Sequence, residues 1–168
     1  FQGTRALWSS DEGRYVAGAL QMLDSGDLLT PAYSPDRLNF SKPPMTYWVI
    51  AGSMKVFGRN AWAARTPCAL AFLGTLLLLF AMGRVVTPFK PWLPPLIYGC
   101  MAFPFFSANI VSTDVLLTLF EALAMAGFMF AVVGECGGHR KHYLFAMWLG
   151  FGLAFLTKGP PGLLPLLA

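Results

Sequence analysis

The chain has 168 residues, of which 56% are hydrophobic and 12% charged, with a formal net charge of +4 and a mean hydropathy of +0.57. This composition excludes an ordinary soluble domain and points to a membrane protein, and no nucleic-acid partner is expected. The charge is uneven: residues 1–65 hold seven Lys or Arg and five Asp or Glu, so a polar head precedes a hydrophobic body.

The head opens on "SSDEGRY". Ser9 and Glu12 form a capping box, and Tyr15, Val16, Ala19, Leu20, Met22 and Leu23 follow at helical spacing until Gly26, which predicts an amphipathic helix lying in the membrane interface. "TPAYSPDRLNFSK" is a Pro-punctuated loop, and its "NFS" at Asn39 matches a glycosylation sequon at the level of chance. A second interfacial helix is predicted from Pro43 or Pro44 through "MTYWVIAGSMKVF" to Gly58, with Tyr47 and Trp48 suited to the headgroup region. Two surface helices and a loop would form a platform over the body.

The body, residues 66–168, contains four apolar runs: Thr66 to Gly83, Trp92 to Thr113, Val115 to Gly134 around Glu121, and Tyr143 onward past Lys158 to Ala168. A spanning helix needs roughly 20 mainly apolar residues, so four spans are expected, the last interrupted by "KGPPG". Phe1 follows no initiator Met or signal peptide and Ala168 stops inside an apolar run. The sequence therefore reads as a fragment with at least one span upstream and several downstream.

Two short basic loops, "RVVTPFKP" and "ECGGHRKH", share a side and set it as cytoplasmic. The head, the "NIVSTD" turn and the "TKGPPG" break of this multi-pass chain then face outward. Cys68 and Cys100 fall in spans and Cys136 in a cytoplasmic loop, so no disulfide is expected. His139 and His142 beside Arg140 and Lys141 read as a solvated loop, not a metal site.

Asp11 and Glu12 stand in the first turn of a helix, where the dipole favours acids, and a structural role is the plainest account. They also face the leaflet where lipid-linked substrates present head groups, with Lys42 of "FSKPP" on the same side. A carboxylate that accepts a proton and a lysine that neutralises a phosphate are the minimum set for moving a group off a lipid phosphate. Asp114 closes the "NIVSTD" turn and either caps the third apolar helix or belongs to a substrate pocket. Glu121, seven residues on and on the same face, should point into the bundle as a structural hydrogen-bonding residue. Lys158 either snorkels to the headgroups or contacts phosphate.

Five ordered blocks carry a family resemblance: "DEGRY", "MLDSGDLLTP", "FSKPPMTYW", "FGRNAWAARTP" and the later pair "STDVLLTLFEALAM" and "GLAFLTKGPPGLLPLL". Together they resemble the glycosyltransferase family 39 and 83 superfamily, which includes protein O-mannosyltransferases and the bacterial transferase that puts aminoarabinose on lipid A; the bacterial branch is the nearer likeness. The resemblance implies an all-α polytopic GT-C bundle and an inverting transfer from an isoprenyl-phosphate sugar to a lipid, glycan or protein acceptor. It implies that Asp11 is the catalytic aspartate and Lys42 the phosphate lysine, and it favours phosphate contact for Lys158. Arg14 and Tyr15 are expected to support the pocket, Asp114 stands with the candidate substrate-binding residues, and Ser9 and Glu12 are expected to cap the helix. The aminoarabinose enzymes carry a metal-associated Glu just before this lysine, and Ser41 stands there instead, which argues against a metal and against aminoarabinose. No cofactor is otherwise expected. A polytopic transporter, with Glu121 and the broken "TKGPPG" helix as a midplane site, is the second reading, and a non-catalytic membrane subunit the third. No second copy of the break appears, and the charges gather on the platform.

Overall fold

The computed structural model describes residues 3–4, 6–7, 10–30, 32–34, 37–38, 42–133 and 139–166, and for residues 10, 11, 32–34 and 37–38 it describes the backbone alone. Helix α1 runs from Ser10 to Ser25 and ends at Gly26, whose φ of 74° suits a residue without Cβ. The expected capping partner Ser9 lies outside the described residues. A turn follows in which the Asp27 carboxylate accepts the amides of Leu29 and Thr30 at 2.8 and 3.2 Å. The Pro-rich loop then contains a small antiparallel ribbon, β1 (Ala32–Ser34) with β2 (Arg37–Leu38), pairing Ala32 with Leu38 and Ser34 with Arg37. The ribbon is an addition to the irregular loop expected there, and its few residues leave the architecture helical; Asn39 and Ser41 lie outside the described residues.

Helix α2 (Met45–Phe57) follows Pro43 and Pro44 and ends before Gly58, as its sequence predicts. Asn60 then caps α3 (Ala61–Val86), its side-chain oxygen accepting the Ala63 amide at 2.8 Å. That helix begins five residues before the expected span, because "AWAAR" is strongly helix-forming behind a good cap. It runs unbroken across the expected boundary at Thr66, so Arg65 belongs to the body's first helix as much as to the platform. The second apolar run is not one helix. It forms α4 (Leu93–Cys100) and α5 (Ala102–Ala108), separated by Met101 in an extended conformation with φ −70° and ψ 132°. Pro104 accounts for the break: it lacks an amide to bond the Cys100 carbonyl, and its ring would collide with that group in a continuous helix.

Helices α6 (Thr113–Val133) and α7 (Arg140–Lys158) complete the bundle, and a 3₁₀ segment covers Pro160–Leu166 in place of a continued span. Among the described helices α3 and α6 are each long and apolar enough to cross a membrane. The α6–α7 pair packs closely in antiparallel fashion: a Cβ on Gly150 would lie 2.7 Å from Ala124 N and Phe120 O, and one on Gly127 2.7 Å from Met147 N and Tyr143 O. At each contact the glycine of one helix lies against the backbone of the other.

The platform is fastened by apolar and ionic contacts. Val16 and Ala19 of α1 meet Ile50, Ala51 and Met54 of α2, Ala63 and Ala64 of α3, and Val111. Beside them the Glu12 carboxylate and the Arg65 guanidinium are fully buried. Arg65 donates from Nε to Glu12 Oε1 at 3.0 Å and from Nη2 to Oε2 at 3.1 Å, and the Val111 amide donates to the same Oε1 at 2.9 Å. Arg65 Nη2 also donates to the Ala6 carbonyl at 2.9 Å. The expected role of Glu12 as mainly a capping residue is therefore corrected: both carboxylate oxygens are committed to partners 53 and 99 residues away.

Removing one charge of a buried pair strands the other in a medium that solvates it poorly. Glu12→Gln, which would be mild in a helix cap, is expected to destabilise the protein by about 3–5 kcal/mol, whereas a Glu12→Leu, Arg65→Met double variant should lose much less. Thermal unfolding of the purified protein in one detergent compares them; a wild-type-like Glu12→Gln would contradict the buried-pair account.

Candidate active site

The first turns of α1, α2 and α6 and the last turn of α7 meet. Glu12 in the first turn of α1 accepts from Val111, on the approach to α6. Met45 at the start of α2 packs on the cluster formed by Ala71, Val115, Leu116, Phe120 and Ala154, the last of these one turn before Lys158. Positive N-terminal dipole ends of three helices thus share one region.

At its centre lie Asp114 and Lys158. Ser112, not Asp114, caps α6: its hydroxyl oxygen accepts the Asp114 amide at 3.1 Å and stands 3.3 Å from Asp114 Oδ2. The alternative that Asp114 caps the helix is thereby corrected, and its other oxygen accepts from Lys158 Nζ at 2.5 Å. The two side chains are 46% and 30% exposed, so the pair opens to whatever fills the space above it. Lys158 is held by Gly159, whose φ of 76° ends α7 and whose amide donates to the Phe155 carbonyl at 2.7 Å. An ammonium has three donors, so the bond to Asp114 leaves two. Snorkelling does not describe a lysine fixed in this way.

The remaining expected residues fall as follows. Asp11 lies in the first turn of α1, its side chain outside the described part. Arg14 is exposed, and Tyr15 packs on Tyr47 with ring centroids 5.7 Å apart. Lys42 is half-buried just before α2 and makes no hydrogen bond or ion pair with a described residue. Glu121 is half-buried on α6, within electrostatic reach of Lys158, and no described residue bonds its carboxylate, so the expected structural hydrogen bond is not among the described contacts. The described residues bring no three of His, Cys, Asp or Glu together in a metal-holding group, while Ser41, on which the metal argument turned, lies outside them.

Two residues escaped sequence reasoning. Arg65 entered only as one charge among seven, although an arginine set in "AWAARTPCAL" needs a buried partner. Thr46, in the first turn of α2, is 1% exposed and its hydroxyl has no hydrogen-bond partner among the described residues. Pro44 gives α2 no side-chain cap; nothing in "PPMTYW" distinguishes this threonine from a packing residue.

Comparison with known proteins defines the class. The fold matches the crystal structure of ArnT from Cupriavidus metallidurans bound to undecaprenyl phosphate, with a TM-score of 0.92 at 26% identity over 97% of this chain and 30% of that one. It is the fold of the GT-C membrane glycosyltransferases, integral membrane proteins built on an all-α bundle. The chain belongs to the dolichyl-phosphate-mannose-protein mannosyltransferase family, whose model matches residues 41–168. Among curated relatives, the undecaprenyl phosphate-alpha-4-amino-4-deoxy-L-arabinose arabinosyl transferase 2 of Pseudomonas fluorescens is 32% identical over 159 residues, covering 94% of this chain and 29% of its own. The corresponding arabinosyl transferase of Shewanella sediminis is 32% identical over 161 residues, again 94% of this chain and 29% of its own. This chain therefore spans about 30% of the length of the proteins it matches. The likenesses favour the transferase reading over the transporter.

Because the Asp114–Lys158 pair is half open to solvent, its net contribution to stability is small. Asp114→Asn and Lys158→Met are each expected to change stability by less than about 1 kcal/mol, while Ser112→Ala should cost about 0.5–2 kcal/mol through the lost cap. Denaturation of the three variants side by side checks the order.

Proposed function

We propose that this chain forms the donor-facing part of an inverting membrane glycosyltransferase, which moves a sugar from an isoprenyl-phosphate carrier to an acceptor at the outward face of a bacterial inner membrane. The observation that carries this reading is the accessible Asp114–Lys158 pair, set where the first turns of α1, α2 and α6 meet. A phosphate there would face helix N-termini, the free ammonium donors of Lys158, and Lys42 with the Thr46 hydroxyl. Such a set of donors suits a leaving group whose negative charge grows as the bond to the sugar breaks.

In this reading Asp11 takes the proton of the acceptor hydroxyl, or orients it, as the oxygen attacks the anomeric carbon. The isoprenyl phosphate departs from the opposite face with the bonding electron pair, and Lys42 and Lys158 balance its charge. Asp114 holds Lys158 in place and keeps the free site from carrying an uncompensated cation. Arg14 and Tyr15 border the acceptor side. The chemistry needs no nucleotide and, with Ser41 before the lysine, is not routed through a metal. The relatives' names point to a pentose on an undecaprenyl carrier. Pentosyl transfer to a lipid acceptor is thus the first reaction to test, with hexosyl donors and glycan or protein acceptors next. The four apolar runs correspond to α3, α4 with α5, α6 and α7, and the platform to residues 1–65.

General-base assistance contributes typically 10²- to 10⁴-fold, so Asp11→Asn in the complete enzyme should lower turnover by about that factor with unfolding unchanged. Lys42→Ala and Lys158→Met should instead weaken donor binding as well as turnover. The assay is sugar transfer from a synthetic polyprenyl-phosphate sugar in liposomes. Near-normal turnover of Asp11→Asn would remove the catalytic assignment, and no transfer by the wild type from any such donor would remove the reaction class.

A further inference from the structure

We propose that the flank of α2 bearing Gly52 and Lys55 binds a phospholipid of the surrounding bilayer, with a chain lying across Gly52 and the phosphate at Lys55. Two grooves run along this helix. One, of about 420 Å³, is lined by Leu23, Leu28, Leu29, Trp48 and Lys55; the other, of about 480 Å³, lies between α2, α3 and α6 against Val56, Pro67, Leu70, Leu119 and Phe120. Gly52 lines both, and a Cβ built on it meets nothing within 4 Å. The glycine is thus the open saddle joining a cationic end to an apolar one, the polarity order of a lipid.

Three further features identify the occupant. Leu28 and Leu29 are 51% and 79% exposed, yet their turn is held by the Asp27 carboxylate and by Trp48 Nε1, which donates to the Leu28 carbonyl at 2.6 Å. Leucines presented on a fixed turn beside an interfacial tryptophan fit the headgroup boundary. The second groove continues into Leu70, Leu73 and Leu77, an exposed row along α3, one of the two helices able to cross a membrane. Lys55 makes no ion pair with a described residue, and about 15 Å of helix separates it from Met45 beside Lys42. One phosphate cannot serve both lysines, so the occupant is a bilayer phospholipid and not the sugar carrier.

The test uses the full-length protein in vesicles containing a phosphatidylglycerol with a photoreactive acyl chain, with cross-linked peptides read by mass spectrometry. The expected cross-links fall on the peptides bearing Leu28, Leu29 and Leu70. Gly52→Leu, which puts a side chain into the saddle where a Cβ meets nothing within 4 Å and removes a helix-weakening glycine, should abolish them. Lys55→Gln should lower them about fivefold, the loss expected for one lysine–phosphate attraction at a membrane surface. Excess undecaprenyl phosphate should leave them unchanged. Absence of cross-links in the wild type would mean that protein covers the flank, equal cross-linking in Gly52→Leu would mean unspecific boundary lipid, and competition by undecaprenyl phosphate would mean that the carrier's own chain lies there; each overturns the proposal. None depends on sugar transfer, so the outcome is separate from that of the proposed reaction.

Discussion

A single carboxylate organises the molecule. Glu12 joins three stretches of chain that are remote in sequence: the first turn of α1, the start of α3 through Arg65, and the entry to α6 through Val111. Apolar contacts such as those of Val16 and Ala19 attract without direction and would tolerate a platform displaced by a fraction of a turn. A bidentate guanidinium–carboxylate pair out of water does not, because any slip leaves a charge neither solvated nor paired. Such a pair contributes little net stability over well-packed apolar side chains, and its value is register. Asp11 is the next residue along, so the interaction that locates the platform also locates the backbone of the proposed base.

The rest of this end of the bundle follows from that placement. With α1 seated on Val111, the first turns of α1, α2 and α6 lie together, and their aligned peptide dipoles make the region electropositive before any side chain is considered. Lys158 arrives at the C-terminal end of α7, where a cation is favoured, and is met by the acid in the first turn of α6, where an anion is favoured. Each member of the pair suits its own helix end, so the ionic contact is assembled from two local preferences.

Helix existence and type were legible in the sequence: α1 and α2 stop at the glycines their patterns mark, and α6 and α7 occupy their apolar runs. What escaped was long-range. The Ser9–Glu12 spacing is a local signal, and it was read locally, whereas the partner that claims Glu12 lies 53 residues downstream. Asp114 was weighed between a cap and a pocket because "VSTD" offers two residues able to cap; only the fold assigns that task to Ser112 and releases Asp114 to Lys158. The break at Met101 was available from Pro104 but was masked by uniform hydropathy, which measures solvent preference and is blind to a missing amide.

The glycine contacts between α6 and α7 give the Asp114–Lys158 pair a property that neither side chain has. Gly127 and Gly150 let the two main chains meet without an intervening cushion, and notches of this kind admit no gradual sliding: a shift of one residue brings a Cβ into the opposing backbone. The spacing between acid and amine at the far end of the two helices is therefore quantised, held at one setting by steric lock and not adjusted by softer forces such as bilayer thickness or tension. Diversification of substrate among proteins with this bundle would accordingly fall to the platform loops, whose geometry can drift, while the two-helix rail beneath them stays at fixed gauge.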